Sequence, residues 1–263
     1  MMLKDKVAVI YGAAGSVGSA VANAFAREGA RLFLAGRRIE PLRALANELG
    51  FSGVAAEAGQ ADALDEKSVE AHMRKVIDRA GRIDICFNAV GIPNTQLQGV
   101  PLVDLPVEQF LRPITTYAQA YFITARLAAR RMIEQGSGVI MTVTAVPSRM
   151  GIPLTGGIAS AFAAVEALSR NLSAELAAKS VRVVGLRSPG MVDSATIKEV
   201  IDIHSRAYGM PWEQFHQIIA GKAHTGRLQK LAEMAEIAAF MASDRASAMT
   251  GTVVNMTMGN LDD

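Results

Sequence analysis

Residues 7–18 read Val-Ala-Val-Ile-Tyr-Gly-Ala-Ala-Gly-Ser-Val-Gly, a short apolar strand followed by a turn of small residues. A helical pattern, Ser16–Glu28, begins directly afterwards. Glycine at Gly12, Gly15 and Gly18 lets the backbone turn tightly and approach a pyrophosphate, which the free N–H groups at a helix start attract. A turn of this kind between the first strand and the first helix of an α/β chain predicts dinucleotide binding.

Apolar β-branched runs alternate with longer helical patterns along the rest of the chain. The predicted strands are Val7–Tyr11, Arg31–Ala35, Gly53–Ala56, Ile83–Asn88, Gly138–Val143, Val181–Leu186 and Thr252–Met256. The predicted helices are Ser16–Glu28, Glu40–Leu49, Glu66–Arg79, Val107–Gln135, Ile158–Ala178 and Ala232–Ala242. This alternation predicts an α/β, single-domain Rossmann fold over residues 1–263, a doubly wound parallel sheet of about seven strands with helices on both faces.

Composition agrees with one globular domain and excludes some partners. Half of the 263 residues are hydrophobic, and 27 basic against 25 acidic side chains give a net charge of +2. This balance predicts no nucleic-acid and no membrane partner. Cys86 is the only cysteine, lies in an apolar run and is expected to be a buried strand residue. The N-terminal apolar run is too short for a signal peptide or a membrane span, so we expect a cytoplasmic protein.

The least regular segment of the chain is residues 191–226, which we name the lid. It follows a predicted strand end, and ligands of open α/β sheets bind beyond the carboxyl ends of the strands. A long excursion at this edge predicts a cover over the substrate. Its apolar residues favour an apolar small-molecule substrate; they are Met191, Met210, Trp212, Phe215 and Ile219.

The second predicted strand ends in Leu34-Ala35-Gly36-Arg37-Arg38. Proteins that use NAD usually place a carboxylate at this strand end to bind the ribose 2′-hydroxyl. Gly36 occupies that place, and the guanidinium groups of Arg37 and Arg38 suit the 2′-phosphate of NADP. We therefore predict NADP(H) as the cofactor, with a solvated basic loop as the alternative interpretation.

The glycine turn resembles that of the short-chain dehydrogenase/reductase family, Thr-Gly-x-x-x-Gly-x-Gly. Gly12 and Gly18 match this pattern, whereas Tyr11 stands at the threonine and Ser16 at the middle glycine. The Ser16 hydroxyl is available there to donate to a phosphate. The resemblance implies that the phosphate-binding turn consists of Gly12, Gly15, Ser16, Val17 and Gly18.

Further segments extend the resemblance over nearly all of residues 5–259. Asp62 resembles the family aspartate near the adenine, and residues 87–91 resemble the Asn-Asn-Ala-Gly segment with its second asparagine replaced by Ala89. Residues 188–194 resemble the Pro-Gly segment that packs against the nicotinamide. The resemblance therefore implies further cofactor contacts from Asp62, Ala63, Asn88, Ala89, Val90, Gly91, Pro189, Gly190 and Val192.

The catalytic positions depart from the family. The resemblance implies a tyrosine that protonates the substrate oxygen during hydride transfer, and a lysine four residues later that lowers the pKa of the tyrosine. Ala159-Ser160 matches the Ala-Ser of the Tyr-x-Ala-Ser-Lys motif, which puts Gly157 at the tyrosine and Ala161 at the lysine. No Tyr-x-x-x-Lys pattern occurs in residues 140–180, so we predict an atypical active site without this pair.

Two residues are the catalytic candidates that remain. Thr144 stands where the family has a serine that holds the substrate oxygen, and Tyr117 stands where it has an asparagine. The Tyr117 phenol is long enough to reach a substrate oxygen; alternatively, it only fills the space that the family's tyrosine leaves. Ser148, Arg149 and Thr155 lie at the mouth of the same crevice as further possible replacements, with Ser148 and Arg149 interpreted as ordinary loop residues.

The sequence favours an NADP(H)-dependent oxidoreductase that acts on a carbonyl or an enone in an apolar small molecule. Loss of a general acid costs about 10²–10⁴-fold in rate, so hydride transfer remains feasible without it. Two alternatives stay open. One is a non-catalytic NADP(H)-binding sensor or scaffold protein, and the other is a non-redox isomerase or cyclase that reuses the crevice.

The histidines predict no metal site, because no cluster has the spacing of metal ligands. His204 and His216 lie in the lid and are expected at the surface; His72 lies on a surface helix pattern, and His224 in a loop.

By resemblance, we expect a homodimer or a homotetramer. The helical stretches Val107–Gln135 and Ile158–Ala178 carry small and apolar residues on more than one face. One face can cover the sheet while another meets a second copy of the chain.

Overall fold

Seven parallel strands form one sheet in the computed structural model, which describes residues 1–51 and 53–262. The strands are β1 (Val7–Tyr11), β2 (Arg31–Gly36), β3 (Ala56–Gln60), β4 (Ile85–Asn88), β5 (Gly138–Ala145), β6 (Val181–Ser188) and β7 (Thr252–Asn255). Their order across the sheet is β3-β2-β1-β4-β5-β6-β7. The predicted doubly wound α/β fold is confirmed.

Eight α-helices accompany these strands in the described part of the chain. They are α1 (Ser16–Arg27), α2 (Ile39–Phe51), α3 (Glu66–Ala80), α4 (Val107–Gln135), α5 (Ile158–Leu176), α6 (Ala195–Ala207), α7 (Trp212–Ala220) and α8 (Leu231–Ala242). Helices α6 and α7 both lie in the lid. Among the described residues, no helix is long and apolar enough to cross a membrane.

The two faces of the sheet build two separate cores, as the alternation of side chains along a strand requires. In β1, Ala8 and Ile10 pack into the core beneath α1, α2 and α8. The intervening residues Val9 and Tyr11 pack into the core beneath α3, α4 and α5. Because both faces are covered, the central strands are mostly apolar, and Cys86 is buried among them as predicted.

The direction of the chain crossovers reverses beside β1, and this reversal places the functional site. Tyr11 at the end of β1 pairs with Ala35 of β2 on one side and with Asn88 of β4 on the other. The loops after these strands therefore diverge to opposite faces and leave a crevice at the carboxyl edge of the sheet. The glycine turn, the end of β2 and the end of β4 all open into it.

One predicted strand is misplaced. The sequence predicts a strand at Gly53–Ala56, but β3 begins at Ala56 and ends at Gln60. β3 is an edge strand whose residues are half-buried or exposed, so it carries polar residues such as Glu57 rather than an apolar run. Two arginines form ion pairs with Glu57, which makes a polar edge stable there.

The predicted surface position of His72 is also wrong. His72 points inward from α3, is only 5% exposed, and its Nδ1 lies 3.2 Å from the Tyr11 hydroxyl. Gly59 makes room for it, because a Cβ at Gly59 would lie 2.5 Å from the imidazole ring. Burial, together with the nearby charge of Lys75, lowers the pKa of His72 to about 4, so the ring is neutral at neutral pH.

Candidate active site

A crevice of about 1350 Å³ runs along the carboxyl edge of the sheet and beneath the lid. Both predicted catalytic residues, Tyr117 and Thr144, line it. The predicted cofactor residues that line it are Gly12, Gly15, Ser16, Val17, Arg37, Arg38, Asp62, Ala63, Ala89, Val90, Gly91, Pro189 and Gly190. The other three, Gly18, Asn88 and Val192, lie outside its lining.

The glycine turn leaves an open space beside its backbone, the phosphate cradle, which side chains at the glycine positions would fill. Gly12 has a φ of +75°, and a Cβ there would lie 2.5 Å from the carbonyl oxygen of Ala89. A Cβ at Gly18 would collide with the Gly12 carbonyl oxygen, so Gly18 allows α1 to pack against the turn instead of contacting a ligand. Helix α1 begins after Gly15 without a side-chain cap and without an acidic residue in its first turn. Its positive end therefore points at the crevice, as an anion site requires.

The end of β2 carries positive charge and no carboxylate. Gly36 is followed by Arg37 and Arg38, which are exposed and line the crevice. Within the described residues, no ion pair engages either guanidinium. The nearby Asp62 holds its own turn, since its Oδ1 accepts the N–H of Leu64 at 3.0 Å.

Asn88 shapes the crevice from within the protein. Its Nδ2 donates to Thr124 Oγ1 at 2.9 Å and to the Ala120 carbonyl at 3.2 Å, both on α4. Its Oδ1 accepts the N–H of Val90 at 3.0 Å. All of its polar atoms are thus engaged, and Asn88 positions the backbone of residues 89–91 instead of offering its amide to a ligand.

The lid is tied to the segment between β4 and α4. Glu199 of α6 accepts hydrogen bonds from the backbone N–H groups of Asn94 and Thr95, at 3.0 and 3.1 Å, and from both side chains. Burial alone would raise the pKa of Glu199, but these four hydrogen bonds outweigh it and leave the pKa lowered. The carboxylate is thus a fixed part of the lid's attachment.

His204 makes a second attachment of the lid, and its predicted surface position is wrong. The ring is 3% exposed, with Nε2 at 3.0 Å from Gln98 Oε1. Gln98 Nε2 in turn donates to Asn94 Oδ1 at 2.7 Å, so the histidine must be the donor in its own bond. The ring also stacks on Phe215 of α7, at 5.5 Å between centroids. The hydrogen bond to Gln98 and the stacking on Phe215 explain why this histidine is buried.

A third tie joins the lid to the glycine turn. Ser194 begins α6 as its cap, its Oγ accepting the N–H of Ile197 at 3.1 Å. The next residue, Ala195, donates its N–H to Ser16 Oγ at 3.1 Å. Val192, just before the cap, donates to the Gln229 carbonyl at 3.0 Å and so holds the start of the lid to the body of the protein.

A buried ion pair lies behind Thr144. Arg187 of β6 donates from Nη2 to Glu166 Oε2 of α5 at 2.8 Å and from Nε to Glu166 Oε1 at 3.0 Å. Thr144 Oγ1 and Ser148 Oγ donate to the same Oε1, at 2.8 and 2.6 Å. The Thr144 hydroxyl is therefore turned toward α5, and Ser148, expected to be an ordinary loop residue, belongs to this network. Arg149 is exposed and outside the crevice lining, whereas Thr155 lines it.

Comparison with known proteins adds to this geometry. The family profile described as enoyl-(acyl carrier protein) reductase matches residues 12–260. The chain belongs to the short-chain dehydrogenase/reductase family. The uncharacterized oxidoreductase YxbG of Bacillus subtilis (strain 168) is 30% identical over 249 residues, which cover 95% of this chain and 88% of that relative.

Solved structures of short-chain dehydrogenase/reductases superpose closely. NAD⁺-bound xylitol dehydrogenase has a TM-score of 0.90 at 24% identity, over 97% of this chain and 98% of the other, a likeness that shows the fold. Actinorhodin polyketide ketoreductase, solved with NADPH, has a TM-score of 0.88 at 25% identity, over 97% and 98% of the two chains. The chain is an oxidoreductase of the short-chain dehydrogenase/reductase type, and these relatives bind nicotinamide cofactors.

The residues present fit such a cofactor. The cradle at Gly12, the uncapped start of α1 and the open space at Gly91, where a Cβ would meet nothing within 4 Å, leave room for a dinucleotide backbone. The turn would hold the pyrophosphate, and residues 189–190 belong to the same lining. A bound nicotinamide supplies or accepts the hydride.

The two positions predicted for the family's tyrosine and lysine, Gly157 and Ala161, do not line the crevice. Gly157 does not face the crevice, because a Cβ there would collide with the Phe110 carbonyl oxygen, and Ala161 is fully buried in the protein. Ile158 and Phe162, each one residue further on, line the crevice instead. Both are apolar.

Tyr117 occupies the space beside these apolar residues. Its ring packs against Phe162 with 5.1 Å between centroids and a tilt of 55°. Burial raises the pKa of the Tyr117 phenol, opposed by a backbone hydrogen bond at Ile92. The phenol therefore keeps its proton at neutral pH, and Tyr117 is part of the crevice lining.

Proposed function

We propose that this protein is an NADP(H)-dependent oxidoreductase that reduces or oxidises a carbonyl or an enone in an apolar small molecule, without the usual tyrosine–lysine pair. One observation carries the cofactor assignment. The end of β2 has Gly36 where a carboxylate would bind a free ribose 2′-hydroxyl, and beside it are the exposed Arg37 and Arg38. Two adjacent guanidinium groups at this place favour a 2′-phosphate over a hydroxyl.

The reaction needs a hydride and a proton. Reduction of a ketone places the hydride on the carbonyl carbon and a proton on its oxygen, and oxidation reverses both transfers. Tyr117 is the proposed proton donor, because it is the acid-bearing side chain of α4 that lines the crevice beside Ile158 and Phe162. Thr144 is the second proposed residue of the reaction site; its hydroxyl is oriented by Glu166.

The lid side of the crevice supports an apolar substrate. Met210, Phe215, Ile218 and Ile219 line it from α7 and the segment before α7. Glu199 and His204, which also line it, are already engaged in hydrogen bonds with residues 94–98. An apolar body therefore gains contact area there without leaving these polar groups unpaired.

Cofactor titration tests the assignment. Dissociation constants of NADPH and NADH, measured by nicotinamide fluorescence, should favour NADPH, and Arg37→Ala should weaken NADPH about tenfold through loss of a charged hydrogen bond while leaving NADH unchanged. Arg43→Ala is the matched control, because Arg43 is exposed on α2 outside the crevice lining. Equal affinities for the two cofactors in the unmodified protein would remove the basis for NADP(H).

Turnover tests the chemistry separately. The protein is mixed with NADPH and a panel of apolar ketones and enones, and the absorbance of the reduced nicotinamide is followed. Oxidation of NADPH with at least one substrate is the expected result. If the protein binds the cofactor but turns over none of these compounds, the result would favour a binding protein or a non-redox enzyme. It would count against an oxidoreductase with the proposed specificity.

A further inference from the structure

We propose that Ser16 couples occupation of the phosphate cradle to the stability of the lid, because its hydroxyl bonds the first residue of the lid helix α6. This inference rests on the proposed binding of NADP(H). It concerns a residue whose hydroxyl contacts the lid and the phosphate cradle at once.

The geometry places Ser16 between two helix starts. Ser16 is the first residue of α1, whose uncapped N-terminus points at the crevice. Its Oγ accepts the N–H of Ala195, the first residue of α6, at 3.1 Å although the two residues are 179 positions apart. Both residues line the crevice. A single side-chain oxygen thus connects the turn that would hold the pyrophosphate with the beginning of the lid helix.

A serine hydroxyl has one proton and two lone pairs. The bond from Ala195 uses a lone pair, and within the described residues no acceptor takes the proton of Ser16. A phosphate oxygen in the cradle would accept that proton in a charge-assisted hydrogen bond. Donation to an anion makes the oxygen a better acceptor for Ala195, because consecutive hydrogen bonds polarise one another. Glycine, which the family pattern has at this position, offers neither bond.

The other lid attachments do not reach the glycine turn: Val192 ties the residues before α6 to the Gln229 carbonyl at 3.0 Å. Glu199 and His204 fasten the middle and the end of α6 to residues 94–98, which precede α4. Neither attachment contacts the glycine turn. The start of α6 is therefore held to the phosphate cradle by the bond between Ser16 and Ala195, and this bond is the one that a bound phosphate can strengthen.

Hydrogen exchange of the lid tests the coupling without reference to activity. The exchange of amides 195–207 is measured by mass spectrometry with and without NADPH at concentrations that saturate each variant. In the unmodified protein we expect NADPH to slow this exchange at least about fivefold, and in Ser16→Ala no more than about twofold. The affinity of Ser16→Ala for NADPH should fall about tenfold through the lost phosphate bond.

Two further variants sharpen the experiment. Ser19→Ala removes a hydroxyl about one turn further along α1; among the described residues it bonds to the Ser16 carbonyl alone, and it lies outside the crevice lining, so this variant should keep the full response. Ser16→Thr keeps the hydroxyl and should restore most of the protection. Full lid protection in Ser16→Ala despite bound NADPH would overturn the coupling and leave the cofactor assignment intact. Failure of the unmodified protein to bind NADPH would overturn both.

Discussion

Glu166 and Arg187 form an ion pair that is buried behind the crevice, with both side chains no more than 3% exposed and Arg187 Nη2 at 2.8 Å from Glu166 Oε2. The pair joins α5 to β6, and hydrogen bonds from Thr144 and Ser148 add the end of β5 and the turn after it. The Glu166 carboxylate thus holds α5 to β6, to the end of β5 and to the turn after β5. Burial alone would raise the pKa of Glu166, but hydrogen bonds from Arg187, Ser148 and Thr144 lower it overall.

We expect Glu166→Gln to destabilise the protein by about 3 kcal/mol, because it removes the buried carboxylate that pairs with Arg187 and accepts hydrogen bonds from Thr144 and Ser148. Urea denaturation measures the free energy of unfolding. The control is Glu175→Gln, on the exposed face of the same helix, which should change this free energy by less than about 0.5 kcal/mol. Glu166→Met combined with Arg187→Met removes both charges and should cost less than Glu166→Gln alone. Equal losses in Glu166→Gln and Glu175→Gln would contradict a structural role for the pair.

The contribution of Glu166 to the free energy of unfolding should also depend on pH, and its direction follows from the shifted pKa. The carboxylate has a lower pKa in the folded protein than the ordinary value of 4.5, so it stabilises the fold above that pH. The contribution should disappear as the pH falls from 4.5 through the lowered folded value. The difference in unfolding free energy between the unmodified protein and the Glu166→Met, Arg187→Met double variant, followed from pH 6 to pH 3, should therefore shrink toward the acid end.

His72 predicts a second pH dependence at higher pH. Its pKa is 6.5 in the unfolded chain and about 4 in the fold, so protons bind preferentially to the unfolded state. The contribution of neutral His72 to the free energy of unfolding is complete above pH 6.5 and decreases as the pH falls toward 4. Between pH 7 and pH 5 the protein should lose about 2 kcal/mol of stability through this one group.

The measurement is chemical denaturation at both pH values, and the comparison is between His72→Phe and His224→Asn. His72→Phe loses the bond to Tyr11 and is expected to be less stable at pH 7, but its stability should fall less between pH 7 and pH 5. His224 is exposed, so its replacement should leave the unmodified protein's pH dependence in place. An unchanged slope in His72→Phe would mean that other groups cause the acid sensitivity.

The arrangement of strands could be predicted from the sequence because the central strands are buried on both faces and read as apolar runs. The same reason explains the failure at β3, an edge strand whose polar residues, such as Glu57, are stabilised by arginines distant in sequence. The glycine turn and the basic end of β2 could be predicted from the sequence because each depends on a few adjacent residues. In the structure, both belong to the lining of one crevice.

The residues that escaped prediction depend on contacts between distant elements. Glu166 looks like one more polar residue on α5, and only the position of Arg187 on the neighbouring strand shows that it is buried. The inward side of His72 becomes visible only once Gly59 and Tyr11 are placed beside it. The buried position of Gly157 could not be predicted, because an Ala-Ser pair alone fixes no orientation of the helix, whereas its packing against Phe110 does.

A homodimer or a homotetramer is our prediction for the assembly. Exposed apolar residues at Val107, Leu111 and Phe122 follow one stripe of α4, with 73%, 45% and 42% of each residue exposed. A helix that covers the sheet with one face and exposes such a stripe on another is suited to meet a second copy. Light scattering at micromolar concentration should give a dimer or tetramer mass, and Leu111→Asp should shift it toward the monomer. A monomer without any substitution would contradict the prediction.

Tyr117 offers the most direct test of the reaction site. Its phenol holds a proton at neutral pH, and the neighbouring Ile158 and Phe162 supply no other acid. If Tyr117 donates the proton, Tyr117→Phe should reduce turnover at least about tenfold while the NADPH dissociation constant barely changes, because only the hydroxyl is lost. Steady-state kinetics and cofactor titration on the same preparations give both numbers.

The packing role of Tyr117 can be separated from its chemistry. Its ring contacts Phe162, so Tyr117→Ala should open a cavity and lower the free energy of unfolding by about 3 kcal/mol, whereas Tyr117→Phe keeps the ring and should lower it by less than about 1 kcal/mol. A Tyr117→Phe variant that is stable and turns over at the unmodified rate would show that the ring only fills the space left by the family's tyrosine. The proton would then come from water or from the substrate, and Tyr117→Ala would be harmful through stability alone.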